Sequence, residues 1–444
     1  MTDRIRRDEA HDGEDDGRAP VADRDVRDLV YLMSCGLNGV AASAARVGRM
    51  ASSGALDGRV RALATTHQVL TLCAAALRTA GPLDAAWASE ENARTYRLVM
   101  FAVERDAVLA DLGRRGIRHM PLKGSVLAGW YPSATMREMC DVDVLIEPGS
   151  ERAVRDVMLA RGFSPLHVGG GHDDSYARDF LNFEMHHHLF GTLEQADLAA
   201  YYEDVWDRLE PDPAAAEPCA WRMRDEDFYA YVTLHAFKHY VLAGFGLRTL
   251  ADEAVLTRRF ADAIDWDDVQ ATVAAFGAGS FERTLRSLAT RLFDPALLAD
   301  DGTGLDALLT AGAGAGLPAE ERTVGADAGL PAEERAMLAH VVASGTYGTI
   351  EQATRQRVLN EFGENPLAGE RNQISDAHRS KLSYLLRRVF PAPRWMRDQF
   401  PVLKGAGVVL LPGAYVFRIA RAAATKRGAI STELAQVREV DAHR

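Results

Sequence analysis

Apolar residues recur every three or four positions over much of the chain, and this period predicts amphipathic helices. The longest such segment covers residues 91–112, with Phe101 and Val108 on its apolar face, and it ends before two glycines. Three further segments with the same period follow in the second half of the chain: 227–242, 247–260 and 265–276. The pattern therefore predicts a largely helical protein.

The period changes between residues 117 and 191, where short runs of alternating apolar and polar residues predict strands. Strands are expected at 117–122, 141–146, 164–168 and 182–190, and helices at 126–130 and 151–161. This order is typical of a compact unit that combines a small sheet with helices. The expected fold class is α+β, with a core that contains a small mixed sheet and large helical regions on both sides.

Changes in composition divide the chain further. Residues 316–322 recur as residues 329–335, a 13-residue duplication in an Ala/Gly-rich setting, which we interpret as a linker. We expect six segments: a disordered acidic N-terminus (1–24), a helical region (25–90), the core (91–200), a helical domain (201–300), the linker (301–345) and a basic helical C-terminal region (346–444).

The charge of the 444-residue chain is unevenly distributed. Its net charge is −12, but residues 379–427 contain eleven Lys or Arg and one acid. This basic stretch predicts an anionic partner, such as a polyanion or a membrane surface, or simply a solvated helix. No apolar run reaches the roughly 20 residues that a membrane-spanning helix needs. Four scattered cysteines without a CxxC pair favour a reducing, cytoplasmic location.

Two acids stand one residue apart in the predicted strand at 141–146. Because side chains alternate along a strand, Asp141 and Asp143 should lie on one face while their aliphatic neighbours face the core. Adjacent carboxylates repel each other unless a cation lies between them. Carboxylate oxygens suit Mg²⁺, which is commonly bound by one or two carboxylates together with substrate phosphates. The alternative is a half-exposed strand with incidental acids.

A turn upstream of these acids contains residues suited to phosphate. Gly124 permits close approach of the backbone, and Ser125 offers an N–H and a hydroxyl at a predicted helix start. Lys123 would act as a mobile point charge, and Arg137 could bind a phosphate with two hydrogen bonds. Ordinary turn and surface roles remain the alternatives for each of them.

A third acid lies on the later predicted strand. Alternation places Glu184 and His186 on one face of residues 182–190. An acid on an apolar strand is costly to bury without a partner, so Glu184 is a candidate metal ligand or base. We expect His186 to help position a phosphate or an acceptor.

Taken in order, these residues resemble the DNA polymerase β-type nucleotidyltransferase superfamily. The motifs that carry the resemblance are Gly124–Ser125, Asp141-x-Asp143 and the separate acid Glu184. Lys123–Gly124, Arg137 and Glu184-x-His186 are similar to its bacterial branch of nucleotidyltransferase family proteins. The spacing from Ser125 to Asp141 is longer than is usual in the superfamily but suits this branch.

The resemblance implies a Mg²⁺-dependent transfer of a nucleoside monophosphate from an NTP, with release of pyrophosphate. Asp141, Asp143 and Glu184 would hold the metal ions, and Glu184 would alternatively take the proton of the acceptor. Lys123, Gly124 and Ser125 would contact the triphosphate. The acceptor stays open: a natural product, a peptide, a protein side chain or an RNA end.

Two other functions remain open at this point. A phosphotransferase could use the same metal site for a γ-phosphoryl group, and a toxin–antitoxin-type module could bind nucleotides without chemistry. The retained acids Asp141, Asp143 and Glu184 favour chemistry over binding alone. An interaction scaffold with incidental acids is a third alternative, and it predicts no Mg–NTP binding.

Overall fold

The computed structural model describes residues 23–169, 171–191, 196–215, 219–311 and 329–346, and beyond them two helices and several single residues. Helices precede the sheet: α1 (Arg24–Asn38), α2 (Ala44–Ser52), α3 (Arg61–Thr66), α4 (Leu70–Ala80) and α5 (Ala85–Arg114). The sheet region contains β1 (His119–Pro121), α6 (Lys123–Leu127), β2 (Val142–Ile146), α7 (Glu151–Ala160), β3 (Ser164–His167), β4 (Asp173–Arg178) and β5 (Leu181–His186).

Helices dominate again after the sheet. Short elements come first: α8 (Ala196–Tyr201), β6 (Glu210–Pro211) and β7 (Trp221–Arg222). A helical body follows: α9 (Asp225–Leu242), α10 (Leu247–Phe260), α11 (Trp266–Ala275), α12 (Gly279–Leu292), α13 (Thr303–Thr310) and α14 (Ala332–Ser344). Further along lie α15 (Lys381–Val389) and α16 (Leu411–Thr425). The α+β prediction is confirmed, and none of the described helices is long and apolar enough to span a bilayer.

Local sequence signals explain where several helices begin and end. The carboxylate of Asp84 accepts hydrogen bonds from the backbone of the first turn of α5, and Asp265 caps α11 in the same way. Gly162 follows α7 with a φ of 81°, a left-handed conformation that favours glycine. These residues fix the helix ends that the apolar period alone leaves open.

The five described strands of the main sheet are arranged in the order β1-β2-β5-β4-β3. The central strands β2 and β5 are parallel, and the other pairs are antiparallel. In the parallel pair, Asp143 lies opposite Glu184 and Leu145 lies opposite His186. Two residues that are far apart in sequence are therefore neighbours on one face of the sheet.

The two faces of the sheet contact different helices. Val142, Val144, Phe183 and Met185 pack on one face with apolar residues of α5 and α7. Leu145 on the other face belongs to a larger core that includes α1, α4, α9, α10 and α12. The face that carries Asp143 and Glu184 is thus turned toward the helical body.

Several elements differ from the sequence-based expectations. The strand β4 was not predicted, because its residues Asp173–Arg178 are mostly polar and follow a glycine run. Helix α5 begins at Ala85 and runs through the predicted boundary at residue 90. Helices α13 and α14 lie inside the range interpreted as a linker. The second copy of the duplication leads into α14, while the first copy and residues 1–22 lie outside the described residues.

Candidate functional site

The parallel pairing of β2 and β5 brings the predicted acids together. Ligand atoms of Asp143, Glu184 and His186 all lie within 4.8 Å of one another. The neighbouring aliphatic and aromatic residues face the opposite core, so burial of that core fixes the direction of the polar side chains. Two carboxylates and an imidazole are therefore held side by side at the border of the sheet and the helical body.

Asp141 immediately precedes β2 and lines the same cavity as Asp143. Among the described residues, the group whose ligand atoms lie within 4.8 Å of one another does not include Asp141. Its third member is His186, together with Asp143 and Glu184. Burial and the negative charge of Asp143 raise the pKa of the Asp141 carboxyl. Asp141 is thus close enough to Asp143 for the two carboxyl groups to repel each other, as is expected of two acids beside a cation site.

Asp143 has two partners of positive or donor character. The ammonium nitrogen of Lys123 lies 3.3 Å from Oδ2, and Nε2 of His186 lies 2.9 Å from Oδ1. Burial by itself would raise the pKa of Asp143, but Lys123 and His186 together hold it well below its usual range. Asp143 is therefore ionised in the folded protein. The role expected for His186 was phosphate or acceptor positioning, and the contact observed is with this carboxylate.

Lys123 is fixed in place, whereas the sequence suggested a mobile charge. Its ammonium nitrogen lies 3.1 Å from Nε2 of His235 as well as next to Asp143. Its backbone has a φ of 37°, which is a strained conformation for a residue other than glycine. Burial would lower the pKa of Lys123, but the Asp143 carboxylate outweighs it and the pKa is raised. Lys123 is a positioned cation that faces the acids.

Arg137 is occupied by a different partner from the one expected. Its Nε and Nη2 each donate to the carboxylate of Asp252 at 2.8 Å, and both side chains are buried. We expected Arg137 to bind a phosphate with two hydrogen bonds, but Nε and Nη2 make their two hydrogen bonds with Asp252 instead. The remaining nitrogen, Nη1, is turned toward Gly124 and would lie 2.6 Å from a Cβ at that position. Arg137 and Gly124 both line the cavity.

Ser125 is the one predicted residue that lies outside the cavity lining found in the described part of the chain. Its side-chain oxygen is buried and has no hydrogen-bond partner there. The structure thus does not support a contact between the Ser125 hydroxyl and a triphosphate.

The cavity has a volume of about 290 Å³ and extends from the acids into the helical body. Its opposite wall contains His235, Lys238, His239 and Arg248 of α9 and α10. Burial, reinforced by nearby cations, lowers the pKa of His239 to about 4, and it lowers the pKa of His235 as well. Both imidazoles are therefore neutral at pH 7. His235 accepts a hydrogen bond from Lys123 in this state, because an ammonium can only donate.

Sequence reasoning missed His172, which also lines the cavity and whose ring lies 5.5 Å from that of His186. It precedes the unpredicted strand β4, so no alternation signal pointed to it. Asp252 lies four residues after Arg248 in the sequence, and this spacing on a helix is typical of an ion pair between the two. In the structure Arg248 instead donates to the backbone oxygen of Glu138 at 2.8 Å.

Glu184 is more exposed than Asp143: 32% of its side chain is accessible, against 12% for Asp143. Burial and the charges of Asp143 and Asp141 raise the pKa of Glu184 to about 8. Neighbouring carboxyl groups disfavour each other's ionisation, and a cation between them would relieve that repulsion.

Comparison with known proteins agrees with this geometry. Residues 56–294 match the model of a family described as uncharacterised nucleotidyltransferase. The chain belongs to this family. The matched range begins before α3, includes the sheet and ends just after α12, so it contains the entire acidic cluster and the facing histidines. No curated protein and no solved structure matches the chain.

Proposed function

We propose that the protein transfers a nucleoside monophosphate from an NTP to an unidentified acceptor in a Mg²⁺-dependent reaction. One observation carries the proposal: Asp143 and Glu184 lie opposite each other on parallel strands, with Asp141 beside them and Lys123 facing them. Membership of the nucleotidyltransferase family supports the reaction type. The Mg²⁺ dependence and the release of pyrophosphate are part of the proposal.

The donor set fits a divalent cation. Asp143 and Glu184 supply hard carboxylate oxygens, Asp141 adds a third carboxyl group nearby, and the imidazole of His186 lies within reach. These residues would hold the metal. When bound, it would supply charge neutralisation for the attacking and leaving oxygens of an in-line displacement.

The reaction is a displacement at the α-phosphorus of the NTP, and side chains of the protein assist it. An oxygen of the acceptor attacks the α-phosphorus, and the bond from that phosphorus to the bridging oxygen of the β-phosphate breaks, so that pyrophosphate leaves. The acceptor's proton goes to Glu184, which takes it up in its ionised form. Lys123 and Nη1 of Arg137 offer positive charge to the triphosphate.

The acceptor and the partner of the basic region stay predictions.

The cavity wall opposite the acids contains neutral imidazoles and apolar side chains such as Val232 and Phe245. Lys238 and Arg248 on the same wall add positive charge, so the lining does not by itself select the charge of the acceptor. The cytoplasmic location expected from the cysteine pattern also remains a prediction.

Labelled nucleotides test the proposed reaction. The protein is incubated with Mg²⁺ and each of the four NTPs, labelled at either the α- or the γ-phosphate, together with a cell extract that supplies acceptors. Nucleotidyl transfer predicts α-label in a new product, or on the protein itself, and release of γ-label as pyrophosphate. Transfer of γ-label to the product would establish phosphoryl transfer instead. An absence of transfer from all NTPs would contradict both reactions.

A further inference from the structure

The aspartate that holds Arg137 belongs to the helical body and not to the sheet. Asp252 lies in α10, is 7% exposed and lines the cavity. Its Oδ1 accepts hydrogen bonds from the hydroxyl of Tyr131 at 2.7 Å and from Nε of Arg137 at 2.8 Å, and its Oδ2 accepts from Nη2 of Arg137. A buried carboxylate with this many donors is well compensated for the loss of water.

These contacts fix how the guanidinium is turned. With Nε and Nη2 committed to Asp252, the planar group cannot rotate, and only Nη1 is directed at Gly124. Gly124 follows Lys123, whose ammonium contacts Asp143. The side of the cavity that faces the acids therefore receives one defined nitrogen of Arg137.

Helix α10 also holds the far end of the same connecting segment. Arg248 donates to the backbone oxygen of Glu138 at 2.8 Å, three residues before Asp141. The Glu138 carboxylate in turn accepts from the backbone of Thr71 and from Arg94. Since residues 128–141 connect α6 to β2, contacts from α4, α5 and α10 determine where this connection runs.

We infer that Asp252 is a positioning residue for the nucleotide: it orients Arg137 so that Nη1 contacts the triphosphate beside Gly124. This inference rests on the proposed function. Asp252 itself does not touch the substrate and acts through Arg137. It predicts that loss of the Asp252 carboxylate weakens NTP binding and leaves metal binding at the acids unchanged.

The test compares Asp252→Asn with a matched control in the full-length protein. The control is Asp28→Asn, since Asp28 is 4% exposed and its Oδ1 accepts from Nε of a buried arginine, Arg46, at 2.9 Å, in the helical region before the sheet. Binding of the α,β-methylene analogue of each NTP is measured by calorimetry with Mg²⁺. Binding of Mn²⁺ is measured independently from the electron paramagnetic resonance signal of the free ion.

The expected result is a loss of NTP-analogue affinity of about tenfold or more in Asp252→Asn, with Mn²⁺ affinity within about twofold of wild type. Asp28→Asn should lower the stability and leave both affinities unchanged. A double-mutant cycle with Arg137→Lys adds a second criterion. If Asp252 acts through Arg137, the double variant should bind the analogue no more weakly than the weaker single variant.

Each other outcome has a defined meaning. Wild-type affinity for the analogue in Asp252→Asn, additive losses in the cycle, or a parallel loss of Mn²⁺ binding would overturn the inference and leave the proposed function standing. A wild-type protein that binds none of the four analogues would refute the proposed function, and the inference with it. If Asp252→Asn does not fold, Asp252→Glu, which keeps the charge, should lower the affinity by about threefold or more, and unchanged affinity would overturn the inference.

Discussion

Gly124 shows how one residue type can be needed for two different reasons. The sequence suggested that this glycine lets the backbone approach a phosphate. In the structure, the space of the missing side chain is occupied by the guanidinium of Arg137, which would lie 2.6 Å from an added Cβ. The glycine therefore permits the packing of a buried arginine whose other edge is bound to Asp252.

Replacement of Gly124 by alanine should move Arg137 away from its position. We expect the KM for NTP in Gly124→Ala to rise by roughly tenfold, because a methyl group and the guanidinium cannot share this space. The matched control is Gly129→Ala, which adds the same methyl group where nothing lies within 4 Å. Steady-state kinetics of both variants check the prediction, and equal KM values would contradict it.

A buried acid outside the catalytic cluster gives a further residue-scale prediction. The hydroxyl of Tyr229 lies between the carboxyl groups of Glu253 and Glu282, and Glu282 also contacts Arg286 at 2.6 Å. A hydroxyl has one proton and can donate it to only one acid, so the second contact needs a protonated carboxyl group. Burial raises the pKa of Glu253 to about 7, even though the hydrogen bond that Tyr229 donates lowers it.

The raised pKa makes folding stability depend on pH with a definite sign. Between its ordinary pKa of 4.5 and about 7, Glu253 binds more protons in the folded than in the unfolded protein. Its contribution to the free energy of unfolding therefore falls as pH rises through this range and is constant above it. In Glu253→Gln the fall should be smaller, measured by urea unfolding at pH 5 to 8. The exposed control Glu203→Gln should keep the wild-type dependence; a Glu253→Gln curve parallel to wild type would contradict the assignment.

At the level of elements, periodicity predicted helix bounds and strand faces. It did not predict which side chains contact each other. The helix at 247–260 was predicted with the bounds that α10 has, and alternation correctly paired Glu184 with His186 on one face. Lys123 and Arg137 line the cavity, but their partners Asp143 and Asp252 depend on three-dimensional packing. No spacing along the chain indicates that a helix 115 positions later supplies the aspartate for Arg137.

The segment interpreted as a linker provides a test at the same scale. Leu338 in α14 is 0% exposed and belongs to the large apolar core. Leu338→Ala should lower the free energy of unfolding by about 3 kcal/mol, because it removes buried apolar contacts and leaves a cavity. The control Leu166→Ala, at a position 67% exposed, should change it by less than about 0.5 kcal/mol. If urea unfolding shows an equally small change in the free energy of unfolding for both variants, α14 does not belong to the core and the linker interpretation stands.

For the whole molecule, the decisive feature is that the acidic face of the sheet is covered by the helical body. This arrangement creates the cavity and supplies His235, Arg248 and Asp252 to it. The sequence predicted both parts but not how they pack, since alternation and period report which face of an element is apolar and not which element covers it. The basic stretch 379–427 lies partly outside the described residues, and its anionic partner stays a prediction.

The most direct test of the account is NTP turnover in the variant Asp141→Asn/Asp143→Asn. Both changes keep the size of the side chains, so the fold should be retained while the cation site loses two of its charges. An exposed aspartate pair in α11 serves as the control, in the form Asp267→Asn/Asp268→Asn. With the α-labelled NTP that wild type uses, and with Mg²⁺, we predict loss of product to background in the first variant and wild-type turnover in the control. Unchanged turnover in a folded Asp141→Asn/Asp143→Asn protein would contradict the account.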